Sequence, residues 1–331
     1  AVFLANPAYF AGGPARAKEI VERRFRTGAE EIRALRRGEI DVIDRLNPWE
    51  VGQAREIPGA VVRRYAVPLV HCLIPNPKRP LTSRRAFRRA LVYGINRAAI
   101  LGLLTRGAEL PGCRVVSGPF LAGVDIDDPL DYAYEESIEP RGYEPHLAIT
   151  LAEVARRELA EARKKAGEPA GDAPKTVLAY QASEAARLAV AEIQRQLKIV
   201  GIALELRELG DAVPERIPAD VDLLYAELAM WEPIVDAERL LGEGGLAGEA
   251  SPYMRQALLR LRQSVDWPTV GRQLREIHRL AHAEASIIPL WQMTDHFAHV
   301  DRLEGIGPSP VTLYQDIENW QIRPPSPPGK P

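Results

Sequence analysis

The chain has 331 residues, 46% hydrophobic and 27% charged, with a formal net charge of -2. That length suits two domains with a sizeable core, and the charge excludes bulk attraction to nucleic acid or an anionic membrane. Its two cysteines, Cys72 and Cys113, exclude a disulfide-dense scaffold and a four-cysteine zinc site; they form one bridge or stand as two thiols. No apolar run approaches the ~18 residues of a membrane span. The start, Ala1-Val2-Phe3, carries neither Met nor a basic-then-apolar signal and reads as a processed or excised chain.

Val2 to Leu4 is strand-like and stops at Asn6-Pro7, and a second strand is expected over 19–25. Ala29 to Arg37 predicts a helix with Ile32 and Leu35 on one face and Gly38 at its end. A short strand follows at 40–43, then a helix over 48–56 with Asn47 as cap. Val61 to Leu73 is extended with Pro68 inside it, which predicts a broken or edge strand. The Pro-rich run 75–80 is the expected crossing between lobes. Ser83 is positioned to cap a helix over 84–93 and Asn96 a shorter one holding Ile100, Leu101 and Leu104. Residues 107–146 read as a long irregular segment. A charged helix over 147–165, with Leu151, Val154 and Leu159 inward, leads to a flexible break at 168–174. Strand 176–180, helix 184–200 and strand 202–206 form a β-α-β unit, which requires a parallel pair in one sheet. A buried strand at 221–225, helices near 251–263 and 269–284, a strand at 287–291 and a Pro-rich tail complete an α/β chain.

Gly242 to Ala247 matches the loose dinucleotide pattern G-x-G-x-x-A. A helical run precedes it, where the phosphate mechanism needs a strand, so a plain loop is expected. His278 and His282 stand four apart on one helix face, with His296 and His299 downstream, but no His-Glu-x-x-His motif supports zinc. The acidic loop Asp125, Asp127, Asp128, Asp131 has Leu130 where a calcium loop needs glycine, so it reads as a solvated turn. Arg84, Arg85, Arg88 and Arg89 read as a solvated basic face. No nucleophile elbow, P-loop or Cys-x-x-Cys is present, so nothing demands an enzyme or a cofactor.

Several segments resemble the family 5 extracellular solute-binding proteins, the dipeptide- and oligopeptide-binding components of ABC importers. Asn6-Pro7-Ala8-Tyr9 through Gly13-Pro14 is similar to the family's Asn-Pro-x-Tyr-x-x-Gly-x-Pro segment. Leu35-Arg36-Arg37-Gly38-Glu39-Ile40-Asp41 resembles its Leu-x-x-Gly-Glu-x-Asp stretch, and Arg88-Arg89-Ala90-Leu91 with Ile95-Asn96-Arg97 its Arg-Gln-Ala-Leu-x-x-Ala-Ile-Asp-Arg block. Ile193-Gln194, Gln196-Leu197 and Gly201-Ile202 resemble its β-α-β unit. The matches run in the family's order over roughly residues 1–320.

The resemblance implies a periplasmic-binding-protein-like α/β fold: a reduced first lobe at 1–72, a complete second lobe with a parallel-strand sheet at 73–290, and a return to the first lobe at 291–331. It further implies a non-catalytic solute receptor, periplasmic or extracellular, with a small-molecule or peptide-like solute held between lobes and an ABC permease as partner. An N-terminal lobe portion that the family carries before the Asn-Pro-x-Tyr segment would be a further partner, and membrane tethering through it is compatible. The competing reading is a sensory or protein-contact domain that keeps the fold without a pocket. Ligand contacts are expected from Tyr180, Gln181, Trp231, Glu232 and Asp236, with Trp231 stacking. The family's Trp-x-Ala-Asp-Tyr stretch reads Trp231-Glu232-Pro233-Ile234 here, so Ile234 stands where peptide binders place an ammonium-holding Asp. The Arg that holds a dipeptide carboxylate has no counterpart in Tyr180-Gln181-Ala182-Ser183. Weak binding of ordinary peptides is therefore expected.

Overall fold

The computed structural model describes residues 1–8, 16–124, 130–167, 175–210, 212–248 and 250–324. The acidic run at Asp125–Asp128, the break at 168–174, the Tyr9–Pro14 half of the first family motif and the Pro-rich tail from Pro325 lie outside them. In chain order the strands and helices are β1 (Val2–Leu4), β2 (Glu19–Val21), α1 (Gly28–Arg36), β3 (Val42–Leu46), α2 (Val51–Arg55), β4 (Ala60–Arg64), β5 (Leu69–Pro75), α3 (Arg85–Gly94), α4 (Arg97–Leu104), β6 (Arg114–Val115), α5 (Pro145–Lys165), β7 (Thr176–Tyr180), α6 (Glu184–Ile199), β8 (Leu204–Glu208), β9 (Leu223–Leu228), α7 (Pro233–Leu241), α8 (Pro252–Arg262), α9 (Trp267–Glu284), β10 (Ile288–Met293), β11 (His296–Val300), β12 (Leu303–Glu304) and β13 (Gln321–Ile322). Two compact units result, one from residues 1–67 with 294–331 and one from residues 68–293.

The first unit is built on the antiparallel sheet β3-β11-β4. Its small core gathers Tyr65, Phe297, Leu303, Ile306, Leu313 and Trp320. Tyr65 and Phe297 pack in a tilted pair with centroids 5.0 Å apart. Thr27 caps α1 by accepting the Glu30 amide, and Gly38 closes the helix with φ +68°, a left-handed position that glycine takes without strain. The predicted 48–56 helix is a 3-10 turn at Pro48–Glu50 running into the short α2.

The second unit is a six-stranded sheet ordered β6-β10-β5-β9-β7-β8. The parallel half, β9-β7-β8, is the predicted β-α-β unit with β9 added beside β7. The other half is antiparallel: β5 pairs with β9 and β10, and β10 with β6. The sheet is therefore mixed, because β5 and β10 return to it from outside the β-α-β unit. The extended run 61–73 is split around Pro68 as expected, but β5 is interior, not an edge. Its proline, Pro75, is the strand's last residue, where a missing donor costs least. Pro289 sits inside β10 next to the register shift between Pro289 and Trp291, a place where the ladder is already interrupted. The run Pro75–Pro80 lies inside this unit.

Two local expectations fail for identifiable reasons. Ser83 does not cap α3; its hydroxyl donates to Pro80 O, and Arg84 occupies the cap position. On α5, Val154 faces outward, while Ala148, Ala152, Ala155 and Leu159 are buried. α5 lies against α3. A Cβ added at Gly94 of α3 would meet Leu197 Cδ2 at 3.1 Å and Val200 Cγ2 at 3.2 Å and touch Ala148 Cβ at 3.4 Å, so the space there is filled by small residues facing one another.

Candidate functional site

β7 and β9 run parallel and adjacent, with Tyr180 opposite Tyr225, so the segments that follow them leave the sheet at one edge. In α/β sheets ligands bind beyond the carboxyl ends of such strands. Tyr180 ends β7 and is buried; burial first, then Glu208, pushes its phenol pKa up. Gln181 follows, and its Oε1 accepts the backbone N–H of Glu227 on β9 at 3.1 Å. Ser183 caps α6 by accepting the Ala186 amide at 2.9 Å, and its hydroxyl lies 3.5 Å from Glu227 Oε1. Glu208, at the end of β8, holds Arg187 of α6 at 2.6 and 2.8 Å, and that pairing pulls the carboxyl pKa down.

The other three expected residues follow β9. Trp231 is 43% exposed, a large aromatic side chain left open to solvent at the sheet edge. Glu232 takes the cap position of α7, and its charge lies near Tyr132, whose phenol stacks edge-on to Trp267. Asp236 turns back to accept the Glu232 amide at 2.8 Å and lies 3.8 Å from Arg239; burial, its largest influence, raises its pKa. The five residues thus form two groups, Tyr180-Gln181 after β7 and Trp231-Glu232-Asp236 after β9. Sequence reasoning does not single out Ser183, Arg187, Glu208 or Glu227 at this edge. Glu227 carries a usable signal, a charge on a strand that is otherwise the apolar run Leu223-Leu224-Tyr225-Ala226-Leu228.

The histidines of α9 do other work. His278 is fully buried. Its Nδ1 accepts the Glu135 amide at 3.0 Å, which leaves the proton on Nε2, 3.1 Å from Ser117 Oγ. The ring therefore donates to the serine, the reverse of what a general base activating a nucleophile requires. Burial, aided by His282, lowers its pKa to about 4. His282 Nδ1 lies 3.1 Å from Ser117 O. No group of three metal-ligating side chains occurs among the described residues. The basic face of α3 is only partly solvated: Arg85 donates to Ala283 O, and Arg88 to Glu284 O and Ala285 O, covering the last carbonyls of α9 where the helix dipole favours cations. Gly242 to Gly248 is a turn after α7, with no strand before it. Cys72 is buried, and no disulfide joins it to Cys113. No helix among the described residues is long and apolar enough to cross a membrane.

No curated protein matches the chain. Among solved structures it is similar to the ABC transporter-associated periplasmic binding protein DppA of Helicobacter pylori in complex with the peptide STSA, at 19% identity and a TM-score of 0.76, covering 97% of this chain and 60% of that one. It is also similar to the oligopeptide-binding protein AppA of Bacillus subtilis in complex with a nonapeptide (16%, TM-score 0.76, covering 98% and 64%). NikZ of Campylobacter jejuni in complex with Ni(L-His) matches at 14% and a TM-score of 0.73, covering 97% and 65%. The chain thus spans less than two thirds of the length of these proteins, and the likeness supports the periplasmic-binding-protein fold expected from sequence. The model of the bacterial extracellular solute-binding proteins, family 5 Middle, matches residues 1–228. With more than half its length in that match, the chain belongs to the family 5 bacterial extracellular solute-binding proteins.

Proposed function

We propose that this chain is the solute-recognition part of a non-catalytic ABC importer receptor, working outside the cytoplasmic membrane with a permease of that class. The observation that carries the reading is the polar and aromatic edge beyond β7 and β9, where Tyr180, Gln181 and Trp231 follow adjacent parallel strands. Trp231 supplies a stacking face, and Gln181, Glu232 and Asp236 supply polar contacts. The direction of the Ser117–His278 hydrogen bond supports a role in binding rather than hydrolysis.

The solute is not an ordinary peptide with two free termini. Ile234 offers no charge for an ammonium, and Asp236 has one oxygen on the Glu232 amide and the other 3.8 Å from Arg239, which weakens it as a substitute. Arg187, one turn into α6, is held by Glu208. A desolvated terminal charge left unpaired costs several kcal/mol, ~3 or more. Titration calorimetry with a mixed dipeptide and oligopeptide library tests this. The expected result is no binding in the micromolar range. Micromolar binding lost on Trp231→Ala would overturn it and make Glu232 or Asp236 the ammonium partner.

A further inference from the structure

Away from that edge, within the second unit, Arg97, Arg141, His282 and Ser117 line a recess with Val92, Ala285, Ile287 and Pro289. Its volume is about 230 Å³ with the open mouth included, and its narrow interior has room for one water-sized occupant. Arg97 is only 6% exposed. Its guanidinium donates to Pro289 O at 3.1 Å and to Arg141 O, both neutral carbonyls. Among the described residues no carboxylate pairs with Arg97 or Arg141. The charges that act on the pair make the imbalance larger: Arg85 and Arg89 of α3 add positive potential at Arg141, and Arg141 adds it at Arg97. A buried cation facing carbonyls and other cations is an electrostatic debt that most proteins settle with an acid.

We infer that this recess binds one small monovalent anion of the chloride class, held between Arg97 and Arg141 with the His282 ring at its wall. The size of the interior favours a monatomic ion over sulfate or phosphate. Two guanidinium groups in the lining, one of them held in place by Pro289 O and Arg141 O, favour an anion over water. The site concerns the second unit alone and stands independently of the solute proposed above. His282 follows from the same geometry. Its Nδ1 faces the Ser117 carbonyl, so protonation adds a donor at Nε2. Burial, with Arg141 and Arg97 behind it, holds its pKa down, and an anion in the recess opposes the two arginines and raises it.

The probe is chloride. Its quadrupolar NMR line width is measured with the protein in sodium chloride, with gluconate replacing chloride at constant ionic strength. Excess broadening that bromide competes away is expected, weakened at least tenfold in Arg141→Gln, whose side chain is only partly buried. Broadening unchanged in Arg141→Gln, or absent in the wild type, would overturn the site. Competition by sulfate stronger than by bromide would overturn the small-anion assignment. A bromide-soaked crystal of the wild-type chain gives a readout that needs no variant: an anomalous peak in the recess is expected, and its absence there counts against the site.

Discussion

Replacing Asp222 tests the packing that holds the β7–β9 edge. Asp222 is 4% exposed and precedes β9. Its Oδ2 accepts the Val177 amide at 2.8 Å, and its Oδ1 holds Arg79 Nε at 2.8 Å. Its own amide donates to Val177 O at 3.0 Å, and its carbonyl accepts the Asn76 amide at 2.9 Å. One residue thus ties the start of β7 to the end of β5 and the entry of β9. In Asp222→Ala the Val177 amide is left buried without its acceptor, at about 1–3 kcal/mol. Arg79 loses its partner but reaches water, which limits that loss to about 1 kcal/mol. The sum is about 2–4 kcal/mol, which lowers the melting temperature of a unit of this size by about 4–16 °C. Asp222→Asn keeps one oxygen for the Val177 amide and is expected to lose about half as much. Urea and thermal unfolding followed by far-UV circular dichroism measure both. A stability for Asp222→Ala within about 0.5 kcal/mol of wild type, the range of an ordinary surface change, would refute the reasoning.

Acid is expected to destabilise the protein before its carboxylates titrate. Burial lowers the pKa of His278 and His296 to about 4, and also lowers those of His282 and His299. The unfolded value is about 6.5, so the unfolded chain takes up protons first; stability present above that pH is lost as pH falls toward 4, by up to about 3 kcal/mol for each of the two most shifted rings. Urea midpoints that stay flat between about pH 7 and pH 5 would contradict this. Gly118→Ala places a Cβ against His278 Nε2, closer than van der Waals contact allows. The overpacked ring costs about 1–3 kcal/mol, read as a lower urea midpoint; an unchanged midpoint would show that the ring moves freely.

The parts of the fold that sequence reveals are those decided locally. The apolar run of β7 and the buried face of α6 through Ala186, Val190, Ile193 and Leu197 sit in one short stretch, so the parallel pair with β8 follows from them. Asn96 likewise announces α4, and α8 and α9 lie close to the helices expected near 251–263 and 269–284. The insertion of β10 between β6 and β5 is not legible, because its pairing residues are more than two hundred positions apart from Leu69–Leu73 and no local pattern marks the register. His278 reads as a possible ligand on a helix face. Its real partners, Ser117 and Glu135, come from the irregular 107–146 segment, whose path no periodicity describes. At the candidate site, Tyr180 and Trp231 stand out as aromatic residues at strand ends. Glu227 is marked only as a lone charge in an apolar strand, and Ser183 joins it only once β7 and β9 are neighbours.

Amide hydrogen exchange addresses the central claim most directly. The protein is screened for melting-temperature shifts against peptides and nickel–histidine complexes. Exchange is then measured with and without the solute that raises the temperature most, and the solute is recovered afterwards. The account predicts slowed exchange at 181–186 and 227–236 and a solute recovered chemically unchanged. Slowing confined to other parts of the second unit, or conversion of the solute into product, would contradict it.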